Sequence, residues 1–155
     1  MKLFGTATIN PVVFYIGKLS FVGNIIFLFL KRFVHAYEFS NIVLIINLLL
    51  IFIPALIIFI ISLSNLGESL RVGLPAEETT LKTTGLYRFS RNPIYVSVIM
   101  VGIASCIYVP HWLNIAFLVI ATLIHHIIIL GEEKFLQGKF KDQWVEYCKN
   151  VRRYL

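Results

Sequence analysis

Forty consecutive residues, 92–131, contain no Asp, Glu, Lys or Arg. About 20 apolar residues suffice for a helix to cross a bilayer core, so this run is long enough for two crossings. In lipid, only helices and closed barrels satisfy every backbone polar group, and runs of this length are helical. Pro110-His111 divides the run, with Tyr108 and Trp112 placed for the interfacial aromatic belt. A second uncharged run covers the 29 positions 39–67, and residues 3–30 carry only Lys18. We therefore expect an all-α integral membrane protein forming a single membrane domain over 1–155. About four transmembrane helices are expected, over 9–30, 41–63, 93–109 and 112–131.

The composition excludes the alternatives. Hydrophobic residues make up 58% and charged residues 14%, against roughly 45–50% and about 25% in soluble domains. So apolar a chain does not remain disordered in water. A soluble fold of this size buries only about two thirds of its surface, which leaves an apolar excess for lipid. The net charge is +6, but the basic residues stand between apolar runs. Anionic headgroups, not nucleic acid, are the expected partner. Cys106 and Cys148 fit no metal spacing, and both are read as structural.

The first span is the least regular, with Pro11 near its start and Lys18 near its middle. Lysine within a span snorkels to the interface or faces a polar interior. A cleaved signal peptide would end in small residues. This run ends in Leu30-Lys31-Arg32, so a retained helix is expected. Four spans put the N-terminus, loop 64–92 and tail 132–155 on one side with eleven Lys and Arg, among them Lys2 and Arg71, and Lys31 and Arg32 on the other. The positive-inside rule makes the richer side cytoplasmic, as in a multi-pass protein of a bacterial inner membrane or its equivalent. In the tail, Phe140, Trp144, Tyr147 and Val151 recur at helical spacing. Lys139, Asp142, Glu146, Lys149 and Arg153 take the other face, as in a short amphipathic helix on the membrane surface.

Two polar clusters flank the last helical pair. One runs from Gly85 to Tyr95 and includes Tyr87, Arg88, Arg91, Asn92 and Pro93. Asn92-Pro93 reads as a helix start, since Asn is a favoured cap and Pro a favoured first residue. Its free amides, with Arg88 and Arg91, favour an anion. The other cluster is His125-His126 followed by Glu132-Glu133. Carboxylates at the end of a spanning helix oppose its dipole and call for a positive partner such as Arg88, Arg91 or a cationic ligand. His125 and Glu132 share a helix face, as do His126 and Glu133. Adjacent histidines cannot point the same way from one helix, which argues against a metal.

The segment Gly85, Tyr87, Arg91, Asn92, Pro93, Tyr95 resembles the Gly-x-Tyr-x-x-x-Arg-His-Pro-x-Tyr loop of isoprenylcysteine carboxyl methyltransferases and phospholipid N-methyltransferases. His126, Glu132, Glu133 and Leu136, then Phe140, Trp144, Tyr147, Val151 and Arg153, resemble the family's ending. Leu66-Gly67 and Arg71 resemble the segment before the loop, so the likeness covers about residues 62–155. It implies an S-adenosylmethionine-dependent membrane methyltransferase acting on a lipophilic or lipid acceptor at the cytoplasmic face. By position it assigns Tyr87, Arg88, Arg91, Asn92, Pro93, Tyr95, His126, Glu132 and Glu133 to the cofactor pocket. Arg91, expected to anchor the cofactor carboxylate, and Glu133 are the candidate catalytic residues. Asn92 departs from the family's His and cannot titrate near neutral pH, which puts a base at 92 in doubt.

Membrane sterol and steroid reductases, which use NADPH, share a similar C-terminal segment. Their loop more often reads Pro-Asn-Tyr, whereas this chain has Pro93-Ile94-Tyr95 and a Glu-Glu pair. A non-catalytic relative keeping the fold is the third reading. The four-span topology predicts that cysteines introduced at Thr80 and Asn150 label from the same, cytoplasmic side. Labelling from opposite sides would overturn it.

Overall fold

The computed structural model describes residues 9–67 and 80–155, and these contain helices and no strand. Lys2 and Arg71, counted in the charge asymmetry, lie outside the described residues. Helix α1 spans Pro11–Leu30, with Pro11 in its first turn and the Asn10 side chain accepting from the Val12 amide at 2.8 Å. Helix α2 spans Asn41–Leu66. Its ladder widens to a π turn over Leu48–Phe52, which ends two residues before Pro54. Proline has no amide to donate and its ring crowds the carbonyl four residues back, and a wider turn makes room for it. Helix α3 covers Pro93–Tyr108, and helix α4 runs from Trp112 to Asn150 with one non-helical residue, Lys141, at φ 44°.

Helices α1, α2 and α4 are long and apolar enough to cross a membrane, and α3 is a shorter apolar helix. The short tail helix is present after the break at Lys141, with Trp144 and Tyr147 on its buried face, and what differs is where it begins: α4 continues past residue 131 as far as Lys141. Glu132 and Glu133 therefore sit within a helix rather than at its end, and the dipole argument does not apply to them. Beyond the break, Trp144, Tyr147 and Val151 form a buried cluster against Leu81, Leu136, Phe140 and Cys148.

The helices are joined by close approach and by buried polar groups, since lipid tails are as apolar as Leu and give helices no hydrophobic reason to associate. A Cβ on Gly17 would lie 2.5 Å from Ile124 Cγ2, so α1 packs on α4 at backbone distance. Asn24 and Asn114 are fully buried. Asn24 Nδ2 donates to Asn114 Oδ1 at 2.6 Å, and Asn114 Nδ2 donates to Ser105 Oγ at 3.2 Å and to the Val109 carbonyl at 3.1 Å. Ser105 Oγ closes the ring by donating to the Asn24 carbonyl at 2.8 Å. This ring ties α1, α3 and α4 near the Tyr108 end, where Lys31 Nζ lies 4.2 Å from the Tyr108 ring centre. On α2, Asn47 Nδ2 donates to the Ala104 carbonyl at 3.0 Å. The outer faces are Ile, Leu and Val, as expected of lipid-facing surface.

Interhelical hydrogen bonds in membranes contribute about 0.6–2 kcal/mol each. Asn24→Leu removes two bonds to Asn114 and the loss should fall at the upper end of that range, read as a lower unfolding midpoint in detergent. A midpoint equal to wild type would show that the ring does not hold α1.

Candidate functional site

The site begins where α2 ends. Asn65 Oδ1 accepts from the Leu86 amide at 2.9 Å and fixes a short 3-10 turn, Gly85–Arg88. Gly85 has φ +63°, and a Cβ there would overlap Asn65 Oδ1. Only glycine serves both the backbone angle and the close approach. Tyr87 is buried beyond it, and Tyr147 O–H donates to the Tyr87 carbonyl. Burial pushes the Tyr147 hydroxyl up to about 12, so it remains a donor throughout the neutral range.

Ser90, Arg91 and Asn92 then meet the chain's last residues. The Arg91 amide donates to the Arg152 carbonyl at 2.9 Å. Asn92 Nδ2 and Ser90 Oγ both donate to the Arg153 carbonyl, at 3.1 and 3.3 Å. Helix α3 starts at Pro93 as the sequence indicates, but Asn92 caps it without a side-chain bond because its amide is committed to the segment after α4, residues 151–155, which acts as a strap. Arg91 lies 5.7 Å from the Trp144 ring centre. Its Nη1 donates to the Val151 carbonyl at 2.7 Å, while Nε and Nη2 donate to Glu133 Oε1 at 3.2 and 3.0 Å. All three Arg91 nitrogens are thus engaged within the protein.

Glu133 takes a second cation. Arg153 Nε lies 3.1 Å from both carboxylate oxygens, and Nη2 donates to Oε2 at 2.8 Å. Side-chain exposure is 11% for Arg91, 13% for Glu133 and 35% for Arg153. Arg153 was expected on the polar face of the tail helix. Instead the helix stops at Asn150, and the extended segment after it turns Arg153 back onto α4. Burial alone would raise the Glu133 carboxyl, but hydrogen bonds from Arg153 and Arg91 outweigh it and hold the group below its ordinary value.

Glu132, one position earlier, faces elsewhere. Its Oε1 accepts from Tyr95 O–H at 3.0 Å, its one hydrogen-bond partner among the described residues. The Tyr95 ring lies 5.7 Å from the buried His125 ring, whose Nδ1–H donates to the Ala121 carbonyl at 2.7 Å. His126 Nδ1 and the Tyr154 hydroxyl share a hydrogen bond of 2.6 Å. The seven-residue spacing therefore has a physical meaning. His125 and Glu132 both meet Tyr95, and His126 and Glu133 both meet the strap. Arg88 is exposed beside Phe89 and makes no ion pair with either carboxylate. Arg153 and Tyr154 are the members that the sequence reading left out of the site. The signal for them was the charge balance, since a carboxylate pair beside a single arginine needs a further cation.

Beside Glu133 lies an open cleft of about 490 Å³, walled by Leu130, Gln137, Trp144 and Cys148, with Lys134 and Lys149 at its rim.

Because the Glu133 carboxyl is held low, its contribution to stability is complete above the ordinary carboxylate value of about 4.3 and is lost as pH falls through its folded value. Glu133→Gln should lower stability at pH 7 by about 1.5–3 kcal/mol, the range for charge-assisted bonds. The gap to wild type should close in acid, where protonation removes the same charge. A gap undiminished at pH 3 would show that the carboxylate charge is not what holds the strap.

The family model for phospholipid methyltransferase matches residues 42–143. It takes in α2, the 85–92 loop, α3 and α4 as far as the break, and leaves out α1 and the strap. No curated protein and no solved structure matches the chain. With two thirds of its residues inside that match, the chain belongs to the phospholipid methyltransferase family of membrane proteins.

Proposed function

We propose that the protein transfers a methyl group from S-adenosylmethionine to a lipid or other lipophilic acceptor, carboxylate or amine, at the cytoplasmic membrane face. The observation that carries this is the division of labour between adjacent carboxylates, of which Glu133 lines a ligand-sized cleft and Glu132 faces Tyr95. Glu133 is saturated by two arginines, while Glu132 keeps acceptor capacity.

The residues present suit the cofactor. Binding pockets for small molecules typically have volumes of about 300–1,000 Å³, and the cleft falls in that range. Trp144 offers an aromatic wall, Gln137 an amide, Lys134 and Lys149 partners for a carboxylate, and Glu133 a partner for hydroxyls or an ammonium. A ligand reaching Glu133 displaces Arg153, the more exposed of the two arginines, before Arg91. When bound, the cofactor supplies an electrophilic methyl group on a sulfonium.

The protein's own residues supply position and proton handling. Arg91 and Glu133 join loop, helix and strap into one frame, so they are positioning residues as well as candidate ligands. Tyr95 holds one oxygen of Glu132 and leaves the other for an acceptor. An ammonium acceptor must lose a proton before its nitrogen lone pair can attack, and Glu132 is placed to take it. A carboxylate acceptor is already a nucleophile and needs only orientation and removal of water. Asn92, standing where the family has His, serves the strap and not the proton.

The test is calorimetric titration of purified protein with S-adenosylmethionine and, separately, NADPH, followed by transfer of labelled methyl to lipid acceptors. Cofactor binding with methyl transfer is expected. NADPH binding alone would replace this reading with the reductase. With an amine acceptor, Glu132→Gln should lower kcat by about 10²–10⁴-fold and leave cofactor affinity within a few-fold. An unchanged kcat would exclude Glu132 as the base.

A further inference from the structure

Lysine near the middle of a membrane span is expensive and is kept where it meets a polar partner. Lys18 is the eighth residue of α1, a helix that lies outside the family match. Among the described residues its ammonium has no carboxylate at ion-pair distance. The side chain runs back toward the N-terminal end of α1, with Nζ 5.3 Å from the centre of the Phe14 ring one turn earlier.

The packing of α1 on α4 shows what Lys18 faces. The two helices run antiparallel, since Asn24 meets Asn114 and Gly17 meets Ile124. The N-terminal end of α1 is therefore level with the Glu132 end of the α4 span. Phe14 and Phe21 share a helix face with Lys18 at i−4 and i+3. The Phe21 ring lies 6.4 Å from His125, His125 lies 5.7 Å from Tyr95, and Tyr95 donates to Glu132. A cation thus stands on the face of α1 that meets the His125–Tyr95–Glu132 row and makes no ion pair with that carboxylate.

We propose that Lys18 is the acceptor-selecting residue of this site: its ammonium binds the anionic group, a phosphate diester or a carboxylate, of the lipid approaching the Tyr95–Glu132 pair from the membrane. The proposal rests on the methyltransferase reading for the identity of the acceptor, but the lipid contact stands independently of turnover. An acceptor of this kind bridges the two charges, its anion on Lys18 and its reacting atom toward Glu132. An uncharged lipid leaves Lys18 unpaired in the span.

The test is native mass spectrometry of the whole protein in detergent, with two probes that carry an anionic group and counterparts that lack it. Phosphatidylethanolamine is set against diacylglycerol, and N-acetyl-farnesylcysteine against its methyl ester. The two pairs separate a lipid phosphate from a free carboxylate. Wild type should retain one of the two probes over its counterpart by roughly tenfold or more, the equivalent of one charge-assisted bond. Lys18→Met should reduce that preference to less than about twofold, and Lys18→Arg should restore most of it. Lys18→Gln, neutral but polar, serves where the Met variant does not purify. A wild-type preference retained in Lys18→Met or Lys18→Gln overturns the proposal, and so does a wild type with no preference in either pair, the result expected of a lysine that only snorkels to the surface. Titration of the same samples with S-adenosylmethionine reports on the underlying reading. Failure of wild type to bind it sinks the methyltransferase assignment and leaves the lipid result to be judged on its own.

Discussion

One carboxylate joins three parts of the chain that are far apart in sequence. Glu133 projects from α4, Arg91 comes from the loop before α3, and Arg153 comes from the segment after the last helix. Without that carboxylate, two guanidiniums would face each other across a partly buried space, and the strap's bonds through Ser90 and Asn92 would have to hold them together. Arg91 and Glu133 are poorly hydrated, so the pairing is stronger than an exposed salt bridge and more harmful to break. The rest of the site is arranged around this point. The Tyr87 turn is tied to Tyr147, Trp144 covers Arg91, and Tyr154 returns to His126.

The bilayer explains why the remaining order comes from polar residues. The outer faces of α1, α2 and α4 are interchangeable aliphatic surface with no information about which helix neighbours which. Position is instead fixed where Asn24, Asn114 and Ser105 satisfy one another, where Asn47 reaches α3, and where Gly17 lets backbones touch.

Much of this was legible in the residues. Uncharged runs longer than a bilayer is thick give helices whatever their neighbours do, and Asn92-Pro93 marks where α3 begins. The histidine-to-glutamate spacing places each pair on a common face, and the fold gives each pair a common partner. Two things were not legible. The continuous helix from Trp112 to the break at Lys141 runs through the end of the uncharged stretch at 131, where hydropathy alone places a boundary. The return of Arg153 depends on the left-handed backbone at Lys141, a residue type with no preference for it. Long-range partners of a charged residue do not follow from local pattern, and Arg153 is the case in point.

Helix α3 has 16 residues and rises about 24 Å, some 6 Å less than a typical hydrocarbon core of about 30 Å. A bilayer meeting so short a helix thins locally or dips to its ends. Ser90, Arg91 and Asn92, which lead into α3, are thereby set below the level at which headgroups stand elsewhere. A lipid drifting into the depression brings its polar end down to the protein with both tails still in oil. For the proposed methyl transfer, an acceptor lipid would then arrive by sideways diffusion in two dimensions, with no need to extract a chain into water.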